Sequence, residues 1–184
     1  MPPKAKYSKE QIIDGAFNIV REKGASSLSA RNLAKYLGIS TGPIFVAFNS
    51  IEELQEAVLA KAKDLYNGYI SEGLKETPSF KGAGMKFIQF AKDEPELFRI
   101  IFLSENGSKD ELTHFLPQND DNYPMIQDAI EKSYGISPEK ARNLYNHMSV
   151  YAYGFASLYM QKIYMYTMED ISRMMTEVFS AMIH

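Results

Sequence analysis

A chain of 184 residues with 45% hydrophobic content is globular in composition, and is long enough for one sizeable core or for a small domain joined to a medium one. It has no cysteine, which excludes disulfides, thiolate zinc sites and a cysteine nucleophile. The net charge of −3 is uneven: residues 1–50 hold seven Lys/Arg against three Asp/Glu, a surplus of +4 that leaves −7 on the remainder.

A basic head on an acidic body points to a head that alone meets a polyanion. A chance excess on a solvated surface is the plainer reading, and four charges do not choose between them. The opening MPPKAKYSKEQ lacks the apolar segment of a signal peptide, and no apolar run reaches the length that crosses a bilayer. A soluble, cytoplasmic protein with no membrane contact is expected.

Apolar periodicity is helical nearly everywhere, and Val and Thr are too sparse for a sheet, so the expected fold is all-α. Residues 1–7 read as a loose tail. SKEQ, Ser8 to Gln11, is a capping box, and the helix it opens carries Ile12, Ile13, Ala16, Phe17 and Val20 on one face before ending at Gly24. A short second helix is expected from Ser29 to about Tyr36, with Gly38 as the left-handed residue after it. Ser40 is placed to cap a third helix that has Pro43 in its first turn. SIEE, Ser50 to Glu53, is a second capping box opening a long helix that ends between Gly68 and Gly73. LKETPSFKGAG, residues 74–84, reads as a loop or hinge. Further helices are expected over roughly 79–92, 94–104, 122–134, 138–163 and 168–183, with SENGSKDE and PQNDDNYP as loops. The expected domains are a head over 1–50 and a helical body over 51–184.

Two short helices joined by a tight turn containing Gly form a helix-turn-helix, packed through Ala30, Leu33, Ala34, Leu37, Ile39, Ile44 and Phe48. The second helix of such a pair reads the major groove through its N-terminal residues. Gly42 and Pro43 keep that end slim, and Ser40 and Thr41 supply hydroxyls for phosphate or base edges. A plain corner in an all-α core is the structural alternative.

From Ser8 to Leu54 the sequence resembles the TetR family of bacterial transcriptional regulators, in IIDGAFNIVREKGASSLSARNLAKYLGIS and STGPIFVAFNSIEEL. The resemblance implies a three-helix DNA-binding head, a helical body that dimerises, and a small-molecule effector. Carried over, it places Ser29 and Arg31 against the phosphate backbone. Ser40, Thr41, Gly42 and Pro43 fall at the groove-facing start of the recognition helix, and Phe45 falls where the family usually has a phosphate-contacting Tyr. Phe45 lacks that hydroxyl, Ala47 replaces a frequent His, and Ile51 replaces a frequent Lys. These changes weaken the electrostatic part of DNA binding, which Lys4, Lys6 and Lys9 would offset.

The body resembles the family more loosely, in DEPELFRIIF at 93–102 and YAYGFASL at 151–158. Residues 141–163 carry an apolar stripe of Leu144, Met148, Ala152, Phe155 and Tyr159, with small residues Ala152, Gly154, Ala156 and Ser157. The last helix offers Ile171, Met174, Met175, Val178 and Met182. Ordinary core is one reading of these stripes. The family resemblance favours a symmetric homodimer whose interface includes Phe155, Tyr159, Ile171, Met175, Val178 and Met182. Phe87, Phe90, Phe98, Phe102, Tyr123, Tyr145, Met148 and Tyr151 are candidates for a mostly apolar effector pocket, against the plainer reading that they are core.

No catalytic set is apparent. His114, His147 and His184 lie far apart, no metal or other cofactor is expected, and GAG at 82–84 follows no strand. Asp120 and Asp121 read as a turn. Arg99 is either a surface residue or an anchor for an anionic effector. The leading expectation is a ligand-responsive, dimeric DNA-binding regulator, a repressor that its effector releases from a double-stranded operator. The rivals are an effector-binding helical dimer with weak or lost DNA binding, and an enzyme on an all-α scaffold, which no residue set supports.

Overall fold

Helix α1 (Lys9–Lys23) opens with the expected capping box. The Ser8 hydroxyl accepts from the Gln11 N–H at 3.2 Å, and the Gln11 side chain accepts from the Ser8 N–H at 2.8 Å. The computed structural model describes residues 7–103 and 121–183, and among them every regular element is helical. SENGSKDE, the start of PQNDDNYP, Lys4, Lys6, His114, Asp120 and His184 lie outside the described residues. The chain divides into two units, Met1–Asp64 and Leu65–His184.

In the first unit α1 is followed by a short 3-10 turn, then α2 (Ala30–Leu37), α3 (Gly42–Ala47) and the first part of α4 (Ile51–Gly73). Ile12, Ala16, Phe17, Val20, Leu33, Ile44 and Phe48 form its core. Ile19 joins them, whereas Ile13 is only half-buried. Leu54, Val58 and Ala62 of α4 are also buried, and the Lys61 ammonium pairs with Asp14. The compact unit therefore runs past residue 50 to take in roughly the first four turns of α4.

The second capping box is only half formed. Ser50 accepts from the Glu53 N–H at 3.2 Å, but the Glu53 carboxylate accepts from the backbone and side-chain N–H groups of Asn49, both at 2.8 Å. Lys9 closes on the other carboxylate oxygen at 3.3 Å. The Asn49 backbone bond, with Lys9 and the Asn49 amide, holds the Glu53 carboxyl below the ordinary glutamate range. A depressed carboxylate stabilises the fold above its unfolded pKa, and that stabilisation is lost as pH falls through the folded value. Glu53→Gln is therefore expected to lower the first unit's stability at neutral pH and to flatten its decline below about pH 4.3, which pH-dependent amide exchange of residues 49–56 would read.

The second unit contains α4 from Leu65 onward, α5 (Ser79–Asp93), α6 (Pro95–Phe102), α7 (Tyr123–Tyr134), α8 (Pro138–Met160) and α9 (Met168–Ile183). Helix α5 is its centre and touches α6, α7, α8 and α9. Only residues 74–78 of LKETPSFKGAG are non-helical; the rest is the start of α5. GAG belongs to a helix contact: a Cβ on Gly73 would meet the Gly82 carbonyl oxygen, and one on Gly82 would meet that of Gly73. Two backbones thus touch without an intervening side chain. Helix α8 ends at Met160, three residues earlier than expected.

Candidate nucleic-acid interface and ligand cavity

The helix-turn-helix is built by backbone geometry and two buried anchors. Ser29 caps α2 by accepting from the Asn32 N–H at 3.2 Å, and Arg31 beside it is exposed. Gly38 adopts φ 66°, ψ 37°, the left-handed conformation that suits glycine, and sends the chain back toward α3. The Tyr7 hydroxyl donates to the Leu37 carbonyl at 2.7 Å.

Ser40 does not cap α3. Thr41 occupies the N-cap position in helical conformation and makes no side-chain cap, because its backbone carbonyl accepts from the Ile44 and Phe45 N–H groups at 3.1 and 3.3 Å. The start of α3 is thereby closed by main chain, and both hydroxyls lie on exposed residues. Gly42 is exposed and Pro43 half-exposed, while within α3 only Ile44 is buried. Phe45 is 52% exposed and Val46 84%. No charged residue occurs from Tyr36 through Ile51, while Arg31 and Lys35 stand exposed on α2. Lys9, expected to offset missing cations, is committed to Glu53 and lies 4.5 Å from the Phe48 ring centre. Ala47 and Ile51 are half-buried.

In the second unit a cavity of about 260 Å³ opens among α4, α5, α7, α8 and α9. Phe87, Tyr145 and Met148 of the candidate residues line it. Phe90, Phe98 and Phe102 instead form a packed aromatic cluster with Tyr66, whose ring centre is 5.4 Å from that of Phe90 and 5.2 Å from that of Phe102. Tyr123 packs edge-on against Tyr145 at 4.9 Å, and Tyr151 against Phe155 at 5.0 Å. Arg99 lies outside the lining, exposed and 3.6 Å from Glu96. The lining also includes Tyr66, Ile70, Phe80, Tyr134, Met175 and Phe179, together with Lys81, Ser149, Thr176 and Ser180.

Residues 12–58 match the family model described as bacterial regulatory proteins, tetR family. The N-terminal head is a TetR-family domain. The whole chain shares the TetR-family fold. Over 96% of this chain and 98% of the other it superposes, with TM-score 0.61 and 18% identity, on a Rhodococcus sp. protein assigned to the TetR-family transcriptional regulators. Over 96% of each chain it superposes, with TM-score 0.53 and 13% identity, on NalD, the secondary repressor of the MexAB-OprM multidrug efflux pump in Pseudomonas aeruginosa. No curated protein matches in sequence.

The TetR-family head was legible in sequence, but Val46 and Tyr36 were passed over. Val46 lies two residues from the buried Ile44, roughly 200° around the helix, so periodicity alone could have marked it as exposed. Of the residues expected at a dimer interface, Phe155, Tyr159, Ile171 and Met175 are buried within this one chain. Tyr159 donates to the Tyr166 carbonyl at 3.0 Å, and Met175 lines the cavity. Val178 is half-buried and Met182 is 37% exposed. Large apolar residues exposed in the second unit include Met125 on α7, Val150 on α8, and Ile163, Tyr164 and Met165 after it. Gly154 is also exposed, with nothing within 4 Å of an added Cβ. Among the described residues no helix is long and apolar enough to cross a membrane.

Proposed function

We propose that this chain is a ligand-responsive DNA-binding regulator, a repressor that acts as a homodimer. The observation that carries the reading is the exposed, uncharged surface at α3, formed by Ser40, Thr41, Gly42, Phe45 and Val46 with half-exposed Pro43, beside Ser29, Arg31 and Lys35 at α2. Small residues and hydroxyls at the start of α3 suit close approach to the groove. Phe45 and Val46 offer apolar contact, which in the major groove fits the thymine methyl group. Arg31 and Lys35 supply phosphate contacts. The repressor sense is supported by NalD, whose fold the chain shares.

Two recognition helices must stand about 34–36 Å apart to enter successive major grooves. An effector that favours a conformation with another spacing draws the population away from DNA. The cavity in the second unit is the site we assign to it, and Val150, Ile163, Tyr164 and Met165 are apolar surface for a second copy. The absent hydroxyl at Phe45 and the absent cation at Ile51 favour one rival, an effector-binding dimer without an operator.

A mobility-shift assay on a duplex from the promoter of the protein's own gene separates the two. Thr41→Ala, Pro43→Ala and Val46→Ala are each expected to lower affinity about tenfold, the scale of one base contact, with helix content unchanged by circular dichroism. Binding that ignores sequence would remove the operator reading. Unchanged affinity in all three variants would mean that α3 is not the reading helix.

A further inference from the structure

The cavity has a floor and a mouth of different chemistry. Its buried lining residues are all apolar or aromatic, Ile70, Met148 and Met175 among them. The lining residues that keep solvent contact include Lys81, Tyr134 and Ser180. Among the described residues Lys81 is the single charged one of the wall, and no Asp or Glu lines it. Lys9, Lys61, Lys75 and Lys132 each have a carboxylate partner, but Lys81 makes no ion pair among the described residues. Burial pushes the Tyr134 phenol up from its ordinary value, so it stays protonated and able to donate.

We propose that this cavity takes a small apolar monoanion, an acid of the carboxylate type whose tail fills the floor and whose head meets Lys81 at the mouth. The proposal rests on reading the cavity as the effector site. At about 30 Å³ per water-sized group, 260 Å³ holds roughly nine such groups, the size of a medium-chain or phenylalkyl acid. A carboxylate gains a charge-assisted hydrogen bond from Lys81, with Tyr134 and Ser180 as further donors. A neutral apolar molecule fills the same floor but leaves the ammonium without a partner. An organic cation meets a like charge and no carboxylate. The net negative charge beyond residue 50 opposes an anion only at long range, where salt screens it beyond about 8 Å.

The test is calorimetric titration of the full chain with octanoate, 3-phenylpropanoate, 1-octanol and octylammonium. At least one acid is expected to bind tenfold or more tighter than 1-octanol, the scale of one hydrogen bond to a charged group, with octylammonium weakest. Lys81→Met is expected to bring the acid down to the level of 1-octanol and leave the alcohol unchanged, while Lys81→Arg restores the preference. Equal binding of acids and alcohol, or a preference that survives Lys81→Met, would overturn the proposal and leave an apolar effector cavity. Binding of none of the four would overturn the proposal and the assignment of the cavity as effector site together.

Discussion

Ile44→Ala is expected to abolish specific DNA binding and to destabilise the first unit by about 3 kcal/mol, within the range for truncating a fully buried aliphatic side chain. Helix α3 has six residues, too few to hold helical shape by propensity. Its position depends on Ile44, which is 0% exposed, and on Phe48 just after it. Removing three carbons from Ile44 leaves a cavity under the recognition helix and lets its first turn drift. Amide exchange across residues 42–48 reads the local loss, and the mobility-shift assay reads the functional one. Val46→Ala is the matched control for stability alone, because an exposed side chain contributes little to it: a change below about 0.5 kcal/mol is expected. Equal stability of Ile44→Ala and wild type would show that α3 is anchored elsewhere.

Gly82→Ala is expected to cost the second unit about 3 kcal/mol, the upper end for overpacking, because the obstructing atom is the main-chain carbonyl of Gly73. Main chain cannot rotate aside as a long side chain can, so α4 and α5 must separate. Gly68→Ala supplies the contrast. Gly68 lies in the same long helix with nothing within 4 Å of an added Cβ. There alanine is expected to stabilise by about 0.5–1 kcal/mol through helix propensity alone. Urea melts of both variants check the pair, and a Gly82→Ala protein as stable as wild type would mean that the two backbones do not touch in solution. The same contact borders the cavity, since Ile70 and Phe80 lie close to it in sequence and line the wall. Gly82→Ala should therefore also weaken any ligand the cavity holds.

What sequence could show here was mostly local. Ser8, Gln11, Ser29 and Gly38 declared their helix ends because caps and left-handed residues act within a few positions. Ser40 misled because Ser40 and Thr41 are both competent caps, and the choice was made by main-chain bonds from Thr41. The stripe of Phe155, Tyr159, Ile171 and Met175 could not be assigned, since a face covered by its own chain has the same period as one covered by a partner. The cavity was least legible. Whether a ring lines a hollow or fills a core depends on five helices at once, so Phe87 and Phe98 read alike in sequence although only Phe87 faces the cavity.

The lack of charge between Tyr36 and Ile51 has a consequence for how this protein would find its site. Each phosphate neutralised by a side chain releases counterions and steepens the fall of log K with log salt by about 0.9. With Arg31 and Lys35 as the phosphate partners, one head has a slope of only about −2 and a pair about −4. Bulk chromosomal DNA then holds such a dimer loosely. A doubling of cellular potassium would weaken a pair of such heads about twelvefold, against about a thousandfold for a regulator with a slope near −10.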